Sequence, residues 1–277
     1  MSKQGVIPLS DSFDHAGPIT RTVEDAAIVL SAIAGYDPLD PTTNPLARAG
    51  SIDYHQQLLA ADTKSLRGVR IGVPRKFFFD PLQSCVGASV ERAIRELESL
   101  GATVSDAPDL GCSADNNSRL FTIAIAESIA YHRERIDTRL QGFGEDVREI
   151  LSTPLPPAWE LARIHLELQE FRARARTVME QFDVLVTPTC RSVAARIGET
   201  TVRIDSDPAE HALIPWFASL TMPFNFTGQP VLALPCGFSD DSKPLPIGIS
   251  IAGRLYDEPT VLRVGRAYER LRAQQAA

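Results

Sequence analysis

The sequence is poor in lysine and lacks the glycine-rich motifs that hold phosphate groups. It has no Gly-Gly pair, no G-x-G-x-x-G and no Walker loop, so nucleotide binding through such a loop is not predicted. Lysine occurs only at positions 3, 64, 76 and 243, and never three residues after a serine. The Ser-x-x-Lys pair of one class of serine enzymes is therefore absent.

Metal-binding and disulfide patterns are missing as well. The four cysteines are Cys85, Cys112, Cys190 and Cys236. Their wide spacing, without C-x-x-C, predicts reduced thiols in a cytoplasmic protein rather than a disulfide framework or a redox motif. The five histidines are His15, His55, His132, His165 and His211. None lies in H-E-x-x-H or at paired ligand spacing, so we predict no metal site and no cofactor.

Charge and hydropathy exclude two further classes of partner. The formal net charge is −7 at pH 7 and no long run of one sign occurs, which argues against nonspecific nucleic-acid binding. No apolar stretch approaches the roughly 20 residues of a membrane-spanning helix. The start has no basic region followed by an apolar segment, so no secretory signal is predicted. We therefore expect no nucleic-acid partner, no membrane partner and a cytoplasmic location.

The sequence does contain clear signals for helix ends and turns. Thr22, with the acid Asp25 three residues later, is typical of a capping box at the start of a helix. Apolar residues then recur at helical spacing, and Gly35 is predicted to end the helix. Residues 36–45 contain three prolines and are predicted to form a loop.

Strand and helix patterns alternate along the rest of the chain. A strand over 69–73, a helix over 86–100 and a strand over 102–105 form a βαβ unit, which predicts a parallel sheet. Further helices are predicted over 118–140, 158–182 and 258–272, and further strands over 183–188, 231–235 and 246–251. No flexible Gly/Ser linker divides the chain, so we predict one α/β domain over residues 1–277.

One serine comes close to a nucleophile motif. Gly248-Ile-Ser250-Ile-Ala252 resembles G-x-S-x-G, but its last position is alanine. Ser250 also lies within a predicted strand, whereas a nucleophile elbow needs a helix to begin directly after the serine. We expect a structural strand serine. An unrelated α/β esterase that uses Ser250 stays open as a distant hypothesis, and the residues alone name no reaction.

A resemblance to a known family suggests a reaction, which the residues alone do not. Residues 5–43, GVIPLSDSFDHAGPITRTVEDAAIVLSAIAGYDPLDPTT, closely resemble the segment that follows the catalytic signature in the amidase signature family. The resemblance continues through Asp183-Val-Leu-Val-Thr-Pro-Thr189, Phe224-Asn-Phe-Thr-Gly-Gln-Pro230 and Leu245-Pro-Ile-Gly-Ile-Ser-Ile-Ala-Gly253. It implies the C-terminal part of an α/β/α amidase-signature fold, with a mixed central sheet flanked by helices.

The resemblance also implies a chemistry that this chain lacks the residues to perform. The family hydrolyses small-molecule carboxylic amides with a serine nucleophile, a bridging serine in a cis peptide and a lysine base kept neutral by burial. The Gly/Ser-rich runs that carry these groups have no counterpart here, and Lys3 does not match the catalytic lysine. We therefore assign no catalytic residue. We expect the single domain to lack its N-terminal catalytic part, through truncation or a mis-assigned start, and to be inactive alone.

Scaffold residues can be carried over from the family. The resemblance places Asp14, Gly17, Pro18 and Arg21 in a loop packed behind the active site, where we expect Arg21 to pair with a carboxylate or carbonyl. It also places Lys3 just before a G-V-x-P-L strand.

The resemblance further suggests walls of a substrate pocket. These come from loops around Cys190, Trp216, Phe224 and Asn225, for each of which core packing is an equally open alternative. A general amidase is favoured over a component of a tRNA amidotransferase, because no tyrosine-rich segment occurs in the mid-chain helices. The family also allows a homodimer. A non-catalytic binding or assembly module on an amidase scaffold is the alternative hypothesis.

Overall fold

The computed structural model of the chain describes residues 1–44 and 52–276. The helices are α1 (Val23–Ile33), α2 (Tyr54–Ala60), α3 (Arg75–Phe78), α4 (Ser84–Ser99), α5 (Ala114–Arg139), α6 (Glu145–Leu151), α7 (Ala158–Met179), α8 (Leu213–Ala218), α9 (Met222–Thr227) and α10 (Glu258–Ala276). The strands are β1 (Arg70–Val73), β2 (Thr103–Asp106), β3 (Val184–Pro188), β4 (Thr201–Ile204), β5 (Asp207–Ala212), β6 (Val231–Phe238) and β7 (Pro246–Gly253). All the predicted strands from residue 69 onwards are present, with ends shifted by a few residues.

Five of the strands form one mixed sheet in the order β2-β1-β3-β7-β6. β1 pairs in parallel with β2 and β3, whereas β7 pairs antiparallel with β3 and β6. The predicted βαβ unit is confirmed, because Arg70 lies opposite Thr103 in the parallel pair and α4 lies between the two strands in sequence. The predicted fold class, α/β with a mixed sheet flanked by helices, is confirmed as well.

The buried face of α4 follows directly from its sequence. Val86, Val90, Ala93 and Leu97 recur at three- and four-residue spacing, and all four are buried in the main core. The chain leaves this helix through Gly101, whose φ of 97° suits glycine because it has no Cβ to clash. The predicted glycine stop after α4 is therefore confirmed.

The start and the end of α1 both lie where the sequence predicts them. The hydroxyl of Thr22 accepts a hydrogen bond from the Asp25 amide at 3.0 Å, as an N-cap should. The helix stops at Ile33, and Ala34 turns into extended backbone with φ −78° and ψ 141°. The predicted helix end at Gly35 is confirmed in position, since Gly35 directly follows the cap residue Ala34, although this extended exit uses no residue in the left-handed conformation.

One of the two edge strands, β6, is covered on one face only. Leu232 and Leu234 point to α10. Gly265 of that helix lets β6 and α10 pack closely, because a Cβ added to Gly265 would lie only 2.3 Å from Leu232 Cδ2. The alternate residues Val231, Ala233 and Pro235 point the other way and are exposed. Within residues 1–44 and 52–276, β6 pairs with β7 alone, so its outer edge is unpaired.

The first residues depart from the family pattern. Residues 5–9, the expected G-V-x-P-L strand, pair with no strand of the described chain and contain a turn with Gly5 at φ 85°. The side chains of Val6 and Ile7 are 55% and 70% exposed. The expected strand is therefore wrong for this structure, because a strand forms only where a neighbouring strand supplies hydrogen-bond partners.

Several short elements carry no clear signal in the sequence. They are α2, α6, α8, α9 and the hairpin β4–β5. The second strand of the hairpin, Asp-Pro-Ala-Glu-His-Ala, has no alternation of apolar residues, and long-range contacts hold the hairpin instead. Asp205 in its turn accepts a hydrogen bond from the Ser84 amide at 2.9 Å, at the start of α4. Residues 36–44 form the predicted loop, and Pro45 lies outside the described residues.

Candidate functional site

Ser250, the serine closest to a nucleophile motif, lies in the middle of the sheet. It is opposite Thr187 in β3 and Ala233 in β6, and only 3% of its surface is exposed. Its Oγ lies 2.9 Å from Oγ1 of Thr189. β7 continues past Ser250 and α10 begins only at Glu258, so the strand–turn–helix geometry of a nucleophile elbow is not formed. Ser250 is a structural residue of the sheet, and this geometry gives the esterase hypothesis no support.

Among residues 1–44 and 52–276, no histidine or lysine hydrogen-bonds to Ser250. The histidine rings contact other groups: His15 the Phe13 carbonyl, His55 Glu24, His132 the rings of Tyr131 and Phe143, His165 the Leu161 carbonyl, and His211 Asp207. None of the four lysines is buried. A lysine base must be held neutral by burial, and no lysine of this chain meets that condition.

The structure places Cys190 near α8, which carries Trp216, and places Phe224 and Asn225 together on α9. Cys190 is half-buried, with its Sγ 4.0 Å from the Phe217 carbonyl, and burial raises the pKa of its thiol. Trp216 is buried on the neighbouring helix α8. Phe224, on α9, is buried in the main core, whereas the adjacent Asn225 is exposed. Their role in substrate binding stays a prediction.

Arg191 directly follows Cys190 in sequence and lies beside the ring of Trp216. It is 4% exposed, and no carboxylate among residues 1–44 and 52–276 lies within ion-pair distance of it. Its guanidinium donates hydrogen bonds to Ser219 Oγ at 2.9 Å, the Pro81 carbonyl at 3.0 Å and the Phe77 carbonyl at 2.9 Å. Burial lowers the pKa of Arg191 to about 10, opposed by the charge of Asp80. One buried cation thus connects its own segment to residues 77–81 and to Ser219 at the end of α8.

Aromatic contacts complete this cluster. The Arg191 Cζ lies 4.8 Å from the ring centre of Phe77 and 5.7 Å from that of Trp216. The Trp216 ring also stacks with that of His211 at 3.9 Å, and its Nε1 donates to Ser192 Oγ at 3.0 Å. Sequence reasoning missed Arg191. The only available signal was an arginine placed shortly after a mainly apolar strand.

Asp14 forms hydrogen bonds within the N-terminal loop, and two serines of the loop form hydrogen bonds to α5. The Asp14 carboxylate accepts hydrogen bonds from the amides of Leu9 at 2.8 Å and Ser10 at 3.1 Å. Glu127 of α5 accepts from the hydroxyls of Ser10 and Ser12. The scaffold role predicted for Asp14 therefore agrees with its contacts.

Arg21 does not behave as expected. It is exposed, and no carboxylate or carbonyl of the described ranges accepts a hydrogen bond from its side chain, so the predicted pairing is wrong. Gly17 is exposed and Pro18 is half-buried, and Ile19 is fully exposed. The loop thus leaves Gly17, Ile19 and Arg21 exposed, whereas its Phe13 is buried in the main core.

Neither a metal-binding cluster nor a membrane-spanning helix occurs in residues 1–44 and 52–276. They hold no group of three or more His, Cys, Asp or Glu side chains arranged to bind a metal ion. No helix within them is both long enough and apolar enough to cross a bilayer.

Comparison with known proteins identifies the family. The family model for Amidase matches residues 1–262. An amidase of Pseudomonas putida is 37% identical over 276 residues, covering 96% of this chain and 55% of that protein. A glutamyl-tRNA(Gln) amidotransferase subunit of Moorella thermoacetica is 34% identical over 296 residues, covering 97% of this chain and 56% of that protein. The chain thus spans about half the length of the relatives it matches.

Solved structures give the same result. A structure described as an unexpected vestigial protein complex that reveals the evolutionary origins of an s-triazine catabolic enzyme has a TM-score of 0.84 at 26% identity, covering 97% of this chain and 56% of that one. A glutamyl-tRNA(Gln) amidotransferase subunit of Thermotoga maritima has a TM-score of 0.71 at 26% identity, covering 96% of this chain and 54% of that one.

Proposed function

This chain belongs to the amidase family, and we propose that it forms the scaffold part of an enzyme that hydrolyses small-molecule carboxylic amides at a C–N bond. The nucleophilic serine, the bridging serine and the lysine base would come from a polypeptide segment outside this sequence. We further propose that the 277 residues alone have no amidase activity. The proposal rests on the lack of a usable base and nucleophile in this chain. None of its lysines is buried, and Ser250, the serine closest to a nucleophile motif, is enclosed in the sheet.

The open edge of β6 supports a place for the catalytic segment. Its eight residues have one paired side, and Val231, Ala233 and Pro235 leave one face exposed. An unpaired strand edge of this length is a template for adding another strand. The relatives are about twice as long as the region that this chain matches, so they contain enough additional sequence to extend the sheet.

The substrate contacts of the intact enzyme would include the four predicted pocket residues. Asn225 is the exposed member and would meet the substrate directly, whereas Trp216 and Phe224 are buried and would shape the wall by packing. Arg191 would keep Cys190 and Trp216 in fixed relative positions through its three hydrogen bonds. Free thiols at all four cysteines support a cytoplasmic setting.

A second candidate is a non-catalytic component of a larger assembly. The open strand edge favours it too, and one similar protein is described as a subunit, another as part of a complex. Whether the assembly is a homodimer or has a different partner is part of this proposal. Size-exclusion chromatography with light scattering, on the chain alone and with candidate partners, tests it.

Ammonia release tests the enzymatic proposal. The 277-residue chain should release no ammonia from aliphatic or aromatic primary amides, and Ser250→Ala should behave identically. Turnover by the chain that Ser250→Ala abolishes would overturn the proposal.

A chimeric enzyme tests whether this chain can serve as the scaffold of an active amidase. The part of the Pseudomonas putida amidase that this chain does not match, joined ahead of residues 1–277, should restore amide hydrolysis. A chimera with a cooperative thermal transition but no ammonia release from that enzyme's own substrates would contradict the scaffold role and favour the assembly module.

A further inference from the structure

A cavity lies between α7, the end of α9 and the segment after β7, apart from the predicted pocket residues. Its volume is about 280 Å³, close to the lower end of the roughly 300–1,000 Å³ of small-molecule sites. Its charged lining residues are Arg172, Arg176, Glu180 and Arg254. Three arginines and one glutamate therefore line the same small space.

Two of the three arginines have no anionic partner. Arg172 and Arg176 are one helical turn apart on α7, and no carboxylate of the described ranges lies within 4.0 Å of either. Like charges at this spacing repel each other. Burial and then the charge of Arg176 lower the pKa of Arg172, while the charge of Glu127 raises it. An anion placed between the two guanidinium groups would remove this repulsion.

Hydrogen bonds hold two of the arginines in place. Arg172 is half-buried, and its Nε donates to the Phe226 carbonyl at 2.7 Å, which fixes the guanidinium while leaving its terminal nitrogens available. Arg254, on the opposite wall, donates to the Met179 carbonyl at 3.1 Å and to Asp183 Oδ1 at 2.8 Å. A site whose charges are positioned in advance loses less entropy when a ligand binds.

The rest of the lining defines the size and polarity of the ligand. Ala175, Met179 and Leu255 give the cavity an apolar side, which suits a short hydrocarbon chain. Thr227 donates a hydrogen bond to the Gln229 side chain at 2.9 Å, and the two close the polar side. A planar carboxylate matches the two-pronged geometry of a guanidinium group.

We infer that this cavity binds a small organic carboxylate with a short apolar tail, held by Arg172 and Arg176. The inference goes beyond the proposed function and does not depend on it, because binding is measured without any amide turnover. The amidase proposal can fail while this site stands, and the reverse also holds.

Isothermal titration of the 277-residue chain with hexanoate tests the inference. Hexanoate should bind saturably at one site, and the neutral isostere hexanamide should bind at least about tenfold more weakly, since it lacks the charge. Arg176→Gln, at an exposed position, should weaken hexanoate binding by about tenfold, and Arg172→Gln by at least as much. Arg174→Gln removes the same charge from an exposed position of the same helix outside the cavity, and its affinity should stay within about twofold.

Four outcomes would overturn the inference. They are no saturable binding of hexanoate, equal affinity for hexanamide, unchanged affinity in Arg176→Gln, and tighter binding of inorganic phosphate than of hexanoate. Since Arg176 is exposed, its variant keeps the test decisive even where Arg172→Gln fails to fold.

Discussion

Truncation of Arg191 should be among the most destabilising single changes in this chain. Burial lowers the pKa of Arg191 to about 10, so the folded state disfavours the charged form by about 3 kcal/mol at about 1.4 kcal/mol for each tenfold change. Its three hydrogen bonds, at roughly 1.5–3 kcal/mol each for a charged donor, exceed that cost. Arg191→Ala removes them and leaves the carbonyls of Phe77 and Pro81 unpaired. We expect the free energy of unfolding to fall by about 3–5 kcal/mol.

Equilibrium urea unfolding followed by tryptophan fluorescence measures this loss. Trp216 is buried beside Arg191, and the other tryptophan, Trp159, is 67% exposed, so a Trp159→Phe background isolates the signal. Arg191→Lys should lose most of the same energy, because an ammonium cannot reach three separated acceptors as a planar guanidinium does. Arg196→Ala, an exposed arginine of the same segment, should change stability by less than about 0.5 kcal/mol. A loss below about 1 kcal/mol in Arg191→Ala would refute the reasoning.

Three further predictions follow from buried polar groups. The Thr187 hydroxyl is fully buried and has no hydrogen-bond partner among residues 1–44 and 52–276, so Thr187→Val should raise the free energy of unfolding by about 1 kcal/mol; a loss in urea unfolding would contradict this. Hydrogen bonds from the Thr42 hydroxyl and the Lys3 amide lower the pKa of Asp40 to about 2, so the stability it contributes should be present above about pH 4 and be lost as the pH falls towards 2. Asp40→Asn should lack this acid-dependent loss, and thermal melts from about pH 5 to 2 that superimpose for both proteins would contradict it. Burial raises the pKa of Cys112 to about 12 and of Cys236 to about 11, so at about pH 8 a disulfide reagent should modify the half-buried Cys85 and Cys190 first; mass spectrometry of timed samples decides the order.

The sequence by itself determined the features that depend on local periodicity and capping. The spacing of Val86, Val90, Ala93 and Leu97 fixes which face of α4 is buried, and Gly101 marks its end because glycine adopts a positive φ without strain. The strand patterns flanking that helix were enough to predict a parallel pair. The family resemblance extended this to the mixed sheet and to the amidase family, both of which are confirmed.

Only the tertiary structure decided the features that depend on partners far away in sequence. Residues 5–9 read as a strand but have no neighbouring strand to pair with in the described chain, and Arg21 reads as an ion-pair residue but is exposed. Ser250 lies in a mainly apolar strand and Arg191 follows one, yet Ser250 is enclosed in the sheet and Arg191 hydrogen-bonds to residues 77–81 and to Ser219. Of the four residues predicted to line a substrate pocket, the structure buries Trp216 and Phe224, half-buries Cys190 and exposes Asn225, because burial depends on side chains that are distant in sequence.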